Sequence, residues 1–231
     1  MTYRGENYDQ GQTRNVTQKK SREQRHKKMT YIFMRNFMPQ HMVGPGEFII
    51  IVGPSKKQRD AVAARVMPGL KDNFCFSDEA PEHDILKSCG EGKDNDPVAL
   101  ANYIEGVEGE QFSVVHLDVK TADEFATSLV GKDMILNGKC HGGVLIMTSS
   151  YMKDIPCFAR ANASVIILLE DKSRHNQEAV YEETKALFPD FDCFQRAFTN
   201  CTAEDAALVI RHRTFAPSPE KCLFWFKIPK N

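Results

Sequence analysis

The stretch FIIIVGPSKKQRD, residues 48–60, decides the predicted fold. Its first five residues form a continuous apolar run rich in β-branched side chains, which is typical of a strand buried on both faces. Gly53 and Pro54 then indicate a turn, and the segment QRDAVAARVM (58–67) carries apolar residues at helical spacing. A buried strand that turns directly into a helix is the first unit of an α/β domain.

The rest of the chain continues this alternation. Apolar runs predict further strands at 73–78, 112–118, 142–150, 164–171, 191–198 and 222–228, and amphipathic stretches predict helices at 96–107, 121–130, 176–188 and 202–213. Strands of near-continuous hydrophobicity separated by helices predict the α/β class, with a mostly parallel central sheet flanked by helices. Ligands of such sheets bind beyond the carboxyl ends of the strands, and the first of these ends is the loop that begins at Gly53.

Composition narrows the class of protein. With 231 residues, 42% of them hydrophobic, the chain can bury the core of one large α/β domain. Its seven cysteines are scattered without a C-x-x-C pair, which argues against a disulfide framework or a zinc knuckle and favours a reducing compartment, the cytoplasm or nucleus. The start lacks a signal-peptide pattern, and no window approaches the ~18 apolar residues of a membrane span.

The first 28 residues differ from the remainder in charge. They contain eight basic and three acidic residues, a net charge of +5, which leaves −6 for residues 29–231. The segment lacks Leu, Ile, Phe and Trp, so we predict a flexible basic N-terminal arm (1–28) ahead of a single α/β domain (29–231). The arm is either a solubilising tail or a strap for nucleic acid or an acidic partner, with candidate contacts at Arg14, Lys19, Lys20, Arg22, Arg25, Lys27 and Lys28.

The loop after the first strand can be tested against the phosphate-loop pattern G-x-x-x-x-G-K-[ST]. In that pattern backbone amides surround the phosphates, the Lys reaches them and the hydroxyl holds magnesium. The aligned residues here are Gly53, Pro54, Ser55, Lys56, Lys57, Gln58, Arg59 and Asp60. The strand, the first glycine and the following helix are therefore present, whereas the second glycine, the lysine and the hydroxyl residue are replaced.

Each replacement argues against nucleotide binding. Gln58 has a Cβ where the pattern usually needs a positive φ, and the fork of Arg59 is a poor substitute for a compact ammonium group. Asp60 would place a carboxylate at the mouth of the helix, where it competes with phosphate. We therefore predict a degenerate phosphate loop. The alternative is that Lys56 or Lys57, or Arg59 itself, takes over the role of the missing lysine.

A second strand end supports the same interpretation. NTPases of this type end another strand with acidic residues that position magnesium and activate water. The best-matching strand, 142–150, ends instead in Thr148, Ser149 and Ser150, and no carboxylate follows until Asp154. This end is thus a degenerate acidic-strand end. If the strand at 112–118 is the metal-binding one, Asp118 supplies the carboxylate and the interpretation weakens.

Other polar groupings carry weaker signals. Cys140 and His141 resemble a nucleophile pair, but adjacent residues on an extended segment point to opposite faces. Residues 82–89 combine His, Cys and carboxylates at a spacing that matches no known ligand geometry. We therefore predict no catalytic residue and no metal site.

Three segments carry a family resemblance. EFIIIVGPS (47–55), GGVLIMTSSYMKD (142–154) and ARANASVIILLED (159–171) resemble, in this order, the packaging ATPases of large double-stranded DNA viruses, the DNA-translocase branch of the P-loop NTPases. The resemblance implies a P-loop NTPase-like core and a role in moving DNA into a preformed shell. Matching residues are Gly53, Pro54, Ser55 and Arg160, whereas the magnesium hydroxyl, the phosphate lysine and the catalytic carboxylates are not matched.

A chain that keeps this scaffold without its chemistry is interpreted as a pseudoenzyme. The resemblance then implies a viral structural or assembly protein, a minor capsid or packaging-associated component that uses no cofactor. Its partners would be other viral structural or packaging proteins and, through the arm, nucleic acid, in the host cytoplasm or nucleus and in the virion. The alternative is an active or nucleotide-regulated packaging ATPase with a variant loop, which would use ATP and magnesium.

Overall fold

A computed structural model of the chain describes residues 34–39, 43–67, 72–77, 86, 112–117, 125–138, 140, 142–212 and 219–228. These residues build one eight-stranded sheet with helices on both of its faces. The strands are β1 (Arg35–Asn36), β2 (Phe48–Val52), β3 (Asp72–Ser77), β4 (Phe112–Leu117), β5 (Gly143–Ser149), β6 (Val165–Leu168), β7 (Ala206–Arg211) and β8 (Leu223–Lys227).

The sheet has the spatial order β1-β8-β7-β6-β2-β5-β4-β3. All neighbouring pairs are parallel except those that β7 makes with β6 and β8. The predicted mostly parallel sheet is therefore confirmed. The strand at 48–52 lies centrally, between β6 and β5, and all five of its residues are buried, as its continuous apolar run predicts.

The helices among the described residues are α1 (Lys56–Val66), α2 (Leu129–Asn137), α3 (Cys157–Asn162), α4 (Arg174–Thr184), α5 (Phe191–Thr202) and α6 (Pro219–Cys222). Single turns of 3-10 helix lie at Met152–Asp154 and Lys185–Leu187. Ser55, Ser128, Ser173 and Asp190 cap four of the helices, because the side-chain oxygen of each accepts a hydrogen bond from a backbone N–H of the first turn.

The two faces of the sheet have separate cores. Residues Phe48, Ile50 and Val52 of β2 pack with α2, α3, α4 and α5 on one face. Ile49 and Ile51 pack with α1, Phe37 and the β8 residues Phe224 and Phe226 on the other. Since side chains alternate along a strand, β2 supplies both cores and fixes the position of the loop that follows it.

Two predicted elements are wrong. Residues 191–198, predicted as a strand, belong to α5, where Phe191, Phe194 and Phe198 recur at helical spacing and Asp190 caps the first turn. The stretch 202–213, predicted as a helix, contains β7. Glu204 and Asp205 adopt positive φ angles of 55° and 56°, which ends the preceding helix, and the following AALVI run is fully buried.

At one edge of the sheet, β1 pairs with β8, and Phe37 is 1% exposed between Phe224 and Phe226. The proposed arm, residues 1–28, lies outside the described residues, so the division into arm and domain stays a prediction. None of the helices that the structure describes is long and apolar enough to cross a lipid bilayer.

Candidate functional site

The loop between β2 and α1 contains three residues, Gly53, Pro54 and Ser55. It lies at the carboxyl end of β2, flanked by the parallel strands β5 and β6, which is where ligands bind in sheets of this type. Helix α1 already begins at Lys56, because the Ser55 hydroxyl accepts the N–H of Gln58 at 3.3 Å and the Ser55 carbonyl accepts the N–H of Arg59 at 3.0 Å. The loop is therefore a tight strand-to-helix corner.

Gly53 is required here by close packing. A Cβ atom at this position would lie 2.5 Å from the Cβ of Leu169, a distance that side chains do not tolerate. The backbone holds the two residues together, since Gly53 donates to the Ser149 carbonyl at 3.1 Å and Leu169 donates to the Val52 carbonyl at 2.8 Å. The first glycine of the pattern thus has a structural function that needs no phosphate.

Gln58 lies in the first turn of α1 and does not need a positive φ. The described non-glycine residues with positive φ are Glu204 and Asp205, which precede β7. The strain expected at Gln58 is absent because the helix begins two residues before the second glycine of the pattern. The residues that should curve around a phosphate are helical instead.

Arg59 is 3% exposed, and its guanidinium turns back toward the strand ends. Its Nη1 donates to the Gly53 carbonyl at 2.6 Å and to the Ser150 Oγ at 3.1 Å. The first acceptor follows β2 and the second follows β5, so one side chain connects the carboxyl ends of two central strands. We call this arrangement of Arg59, Gly53 and Ser150 the arginine clasp.

The sequence predicted Asp60 at the mouth of the helix, and this prediction is wrong. Asp60 is the fifth residue of α1, 1% exposed, and the first turn contains no acidic residue. Its Oδ2 accepts from the Lys56 Nζ at 2.9 Å, an ion pair one helical turn apart. The side chain of Lys56 is thereby directed to protein, whereas Lys57 is exposed.

The end of β5 carries the predicted hydroxyl residues. Thr148 and Ser149 are 1% and 0% exposed and lie beside Ile51 and Val52 of β2. The Ser149 Oγ donates to the Tyr151 carbonyl at 2.8 Å and accepts the Tyr151 N–H at 3.0 Å, so this hydroxyl stabilises the turn after the strand. The next carboxylate, Asp154, is exposed in the following 3-10 turn.

The alternative metal strand is β4, which lies next to β5 and one strand away from β2. Its last described residue is Leu117, and Asp118 lies outside the described residues. The candidate contacts of the arm, Arg14 to Lys28, also lie outside them. Within the part of the chain that the structure describes, no three His, Cys, Asp or Glu residues are grouped closely enough to hold a metal ion.

Arg160 lies in α3, away from the clasp residues in sequence, and has an ion pair between its Nε and the Glu183 Oε1 at 2.9 Å. Its Nη1 also donates to the Ile155 carbonyl. These contacts fix α3 to the preceding turn and to α4. They assign Arg160 a packing function in this chain.

Sequence reasoning missed a second polar cluster, at the amino-terminal end of β2. Glu47, 2% exposed, accepts from the Arg211 Nη2 at 2.9 Å and from the Ser164 hydroxyl. Ser164 in turn accepts the Phe48 N–H at 3.1 Å. The available signals were a carboxylate directly before a fully buried strand and an arginine as the last residue of another strand, but only strand order shows that they meet.

Comparison with known proteins supports the fold. The genome packaging NTPase B204 from Sulfolobus turreted icosahedral virus 2, in complex with sulfate, matches with a TM-score of 0.53 and 7% identity, covering 81% of this chain and 99% of that chain. Its complex with AMPPCP matches with a TM-score of 0.53 and 10% identity, covering 73% and 94%. The predicted P-loop NTPase-like core is confirmed.

Sequence comparison gives a shorter match. An uncharacterized protein of Acanthamoeba polyphaga mimivirus is 25% identical over 95 residues, 41% of this chain. This chain spans about a third of that relative's length (34%) in the match. No family model matches the sequence. The chain is thus similar in fold to a viral genome packaging NTPase.

Proposed function

We propose that this chain is a non-catalytic, P-loop-derived protein of viral assembly, a minor capsid or packaging-associated component. The fold of a viral packaging NTPase and the sequence match to a mimivirus protein support the viral setting. The observation that carries the proposal is the three-residue corner followed at once by α1. A phosphate cradle needs free backbone amides along a longer loop, and here those positions are helical.

The side chains of the corner support the same conclusion. The Arg59 guanidinium is buried and donates to protein oxygens, and the Lys56 ammonium pairs with Asp60. A buried cation that already has acceptors offers a phosphate little attraction, because binding would first break those contacts. The scaffold therefore persists for its shape, and its surfaces contact other proteins.

The basic arm extends the proposal to partners. Its charge fits nucleic acid or an acidic viral protein, and the chain would act in the host cytoplasm or nucleus and in the virion. Neither ATP nor magnesium takes part.

Binding of a DNA duplex should weaken steeply as salt is raised, because each neutralised phosphate releases counterions, and deletion of residues 1–28 should abolish it. Salt-independent binding, or binding that survives the deletion, would contradict this assignment of the arm.

Titration calorimetry with ATP, with and without magnesium, tests the central claim on the full chain. The expected result is no binding heat. A matched variant, Gln58→Gly with Arg59→Lys and Asp60→Thr, restores the complete G-x-x-x-x-G-K-T pattern and shows whether the scaffold can still accept a nucleotide. Saturable, magnesium-dependent heat from the natural chain would overturn the proposal.

That outcome would favour the alternative function, a packaging ATPase with a variant loop. The exposed Lys57, in the first turn of α1, is the cation that could replace the missing lysine. The alternative predicts ATP hydrolysis that is lost in Lys57→Ala and retained in a matched surface variant, Lys153→Ala. Absence of turnover in the natural chain excludes it.

A further inference from the structure

The carboxyl ends of β2 and β5 lie side by side. We call the space between the Gly53 carbonyl and the Ser150 hydroxyl at these ends the notch. Two parallel strands end here side by side, with Val52 paired to Ser149 in the last register position. In an open parallel sheet this is ordinarily the space that a ligand enters. In this chain the Arg59 guanidinium occupies it.

The chemistry of the notch walls determines which ligand fits. The Gly53 carbonyl is an acceptor only, and it receives the Arg59 Nη1 at 2.6 Å. The Ser150 hydroxyl accepts from the same nitrogen at 3.1 Å. Phosphate oxygens are also acceptors, so a phosphate placed here would face an acceptor at short range. A cation that can direct N–H groups of one nitrogen to both acceptors, as the Arg59 Nη1 does, matches the walls.

We propose that the notch is a guanidinium site whose ligand is built into the chain: Arg59 serves as an internal ligand that holds the ends of β2 and β5 together and keeps phosphate out by occupying the space. The inference rests on the proposed function in one respect, since it explains why the site stays closed to nucleotide. It assigns a ligand class, the alkylguanidinium cation, to the strand end where the sequence pattern indicates a degenerate phosphate loop.

The surrounding backbone keeps the notch in shape when the side chain is removed. Gly53 is held to Ser149 by a backbone hydrogen bond of 3.1 Å, and Leu169 packs directly on the glycine. Ser149 is fixed by its own turn to Tyr151. Truncation of Arg59 should therefore leave a preformed cavity of guanidinium shape that lacks its occupant.

Chemical rescue tests this directly. Arg59→Ala should lower the melting temperature of the full chain by roughly 5 °C, because hydrogen bonds from a buried charged group are lost. Millimolar ethylguanidinium should restore much of this loss with saturation, since a ligand that binds only the folded state stabilises it. Ethylammonium and sodium chloride at equal ionic strength should restore less. Arg65→Ala, an exposed arginine of the same helix, is the matched control and should respond to none of them.

Equal responses of the natural chain and Arg59→Ala to ethylguanidinium would overturn the inference, as would an unchanged melting temperature in the variant. If Arg59→Ala does not fold, the variants Arg59→Lys and Ser150→Ala serve instead, and both should melt below the natural chain. Ethylguanidinium should have no effect on Ser150→Ala, because Arg59 still fills the notch in that variant. ATP binding by the natural chain would sink the proposed function. Failed rescue would refute the guanidinium site and leave the proposed function unaffected.

Discussion

The two ends of β2 both hold an arginine, but they hold it differently. At the amino-terminal end, Arg211 pairs with the buried carboxylate of Glu47, and Ser164 completes the cluster. At the carboxyl end, Arg59 donates to a carbonyl and a hydroxyl, both of them neutral. The first is an ion pair between two parts of the fold, and the second places a cation against the acceptors of a ligand notch.

This difference separates a buried ion pair from a cation that donates to a carbonyl and a hydroxyl. Removal of Arg211 would take away the cation that pairs with the buried Glu47 carboxylate, so the amino-terminal end of β2 depends on the pair. The Gly53 carbonyl and the Ser150 hydroxyl carry no formal charge, and water or another donor could satisfy them. Substitutions in the Glu47–Arg211 pair should therefore lower the free energy of unfolding more than substitutions in the arginine clasp.

The largest effect is expected from Arg211→Met. Removing one partner of a buried ion pair leaves an uncompensated charge, and we expect a loss of about 3–5 kcal/mol in the free energy of unfolding. Urea denaturation followed by circular dichroism measures it. The double variant Arg211→Met with Glu47→Gln should recover part of the loss, because the buried charge is then gone. A double variant as unstable as the sum of the two singles would refute this account of the ion pair.

Gly53→Ala should come next, at about 2–3 kcal/mol, because the added Cβ would meet the Leu169 Cβ at 2.5 Å. Thermal melting provides the measurement. Leu169→Ala keeps the clashing Cβ and should not rescue the variant, whereas Leu169→Gly should relieve part of the clash. Gly44→Ala, at a turn where an added Cβ meets no atom within 4 Å, is the control. Equal effects at the two glycines would show that clearance is not the reason for Gly53.

Lys56→Met should have a smaller effect, about 1–2 kcal/mol, because it removes one hydrogen-bonded partner of the buried Asp60. A double-mutant cycle with Asp60→Asn isolates the pair in urea denaturation, and we expect the two losses to be less than additive. Strict additivity would mean that the ion pair contributes nothing to the stability of the corner.

The smallest effect concerns pH and the amino-terminal end. Partial burial lowers the pKa of His212, with an opposing contribution from Glu183, and the His212 backbone N–H donates to the Ser164 carbonyl at 3.0 Å. A lowered pKa means that the unfolded chain binds the proton more readily, so stability is complete above the ordinary pKa of about 6.5 and declines as pH falls below it. His212→Gln should flatten this decline in melts between about pH 7 and pH 5.5. An identical decline in both proteins would exclude His212.

Much of the fold could be predicted from apolar runs. FIIIV, GVLIMTS and VIIL gave β2, β5 and β6, since strands buried on both faces have little room for polar residues. The two wrong elements show the limit of that signal. FDCFQRAF is rich in aromatic residues, which favour strands, but its phenylalanines follow the period of a helix. AALVIR lies in the predicted helix at 202–213, but it forms the strand β7.

The candidate site was only partly predictable. The replacements at positions 58, 59 and 60 could be identified from the pattern, but the pattern assumes a loop, and the loop ends at Ser55. The position of Asp60 inside the helix depends on the start of α1 at Lys56. The meeting of Arg59 with Ser150, across 91 residues of sequence, depends on the register of β2 with β5. Glu47 and Arg211, 164 residues apart, meet because β6 lies between β2 and β7 and aligns Ile49, Val165 and Arg211.

The contact between Gly53 and Leu169 bears on how such sequences are annotated. A motif search weighs a glycine after a buried strand as a sign of nucleotide chemistry, yet in this chain steric clearance alone would preserve it through any loss of catalysis. In a protein that descends from an active enzyme, packing would keep this glycine after the other motif residues had changed. Its presence would therefore say the least about nucleotide binding. Position 58 is more informative, because its helical backbone accepts a side chain, whereas the second glycine of the pattern usually needs a positive φ.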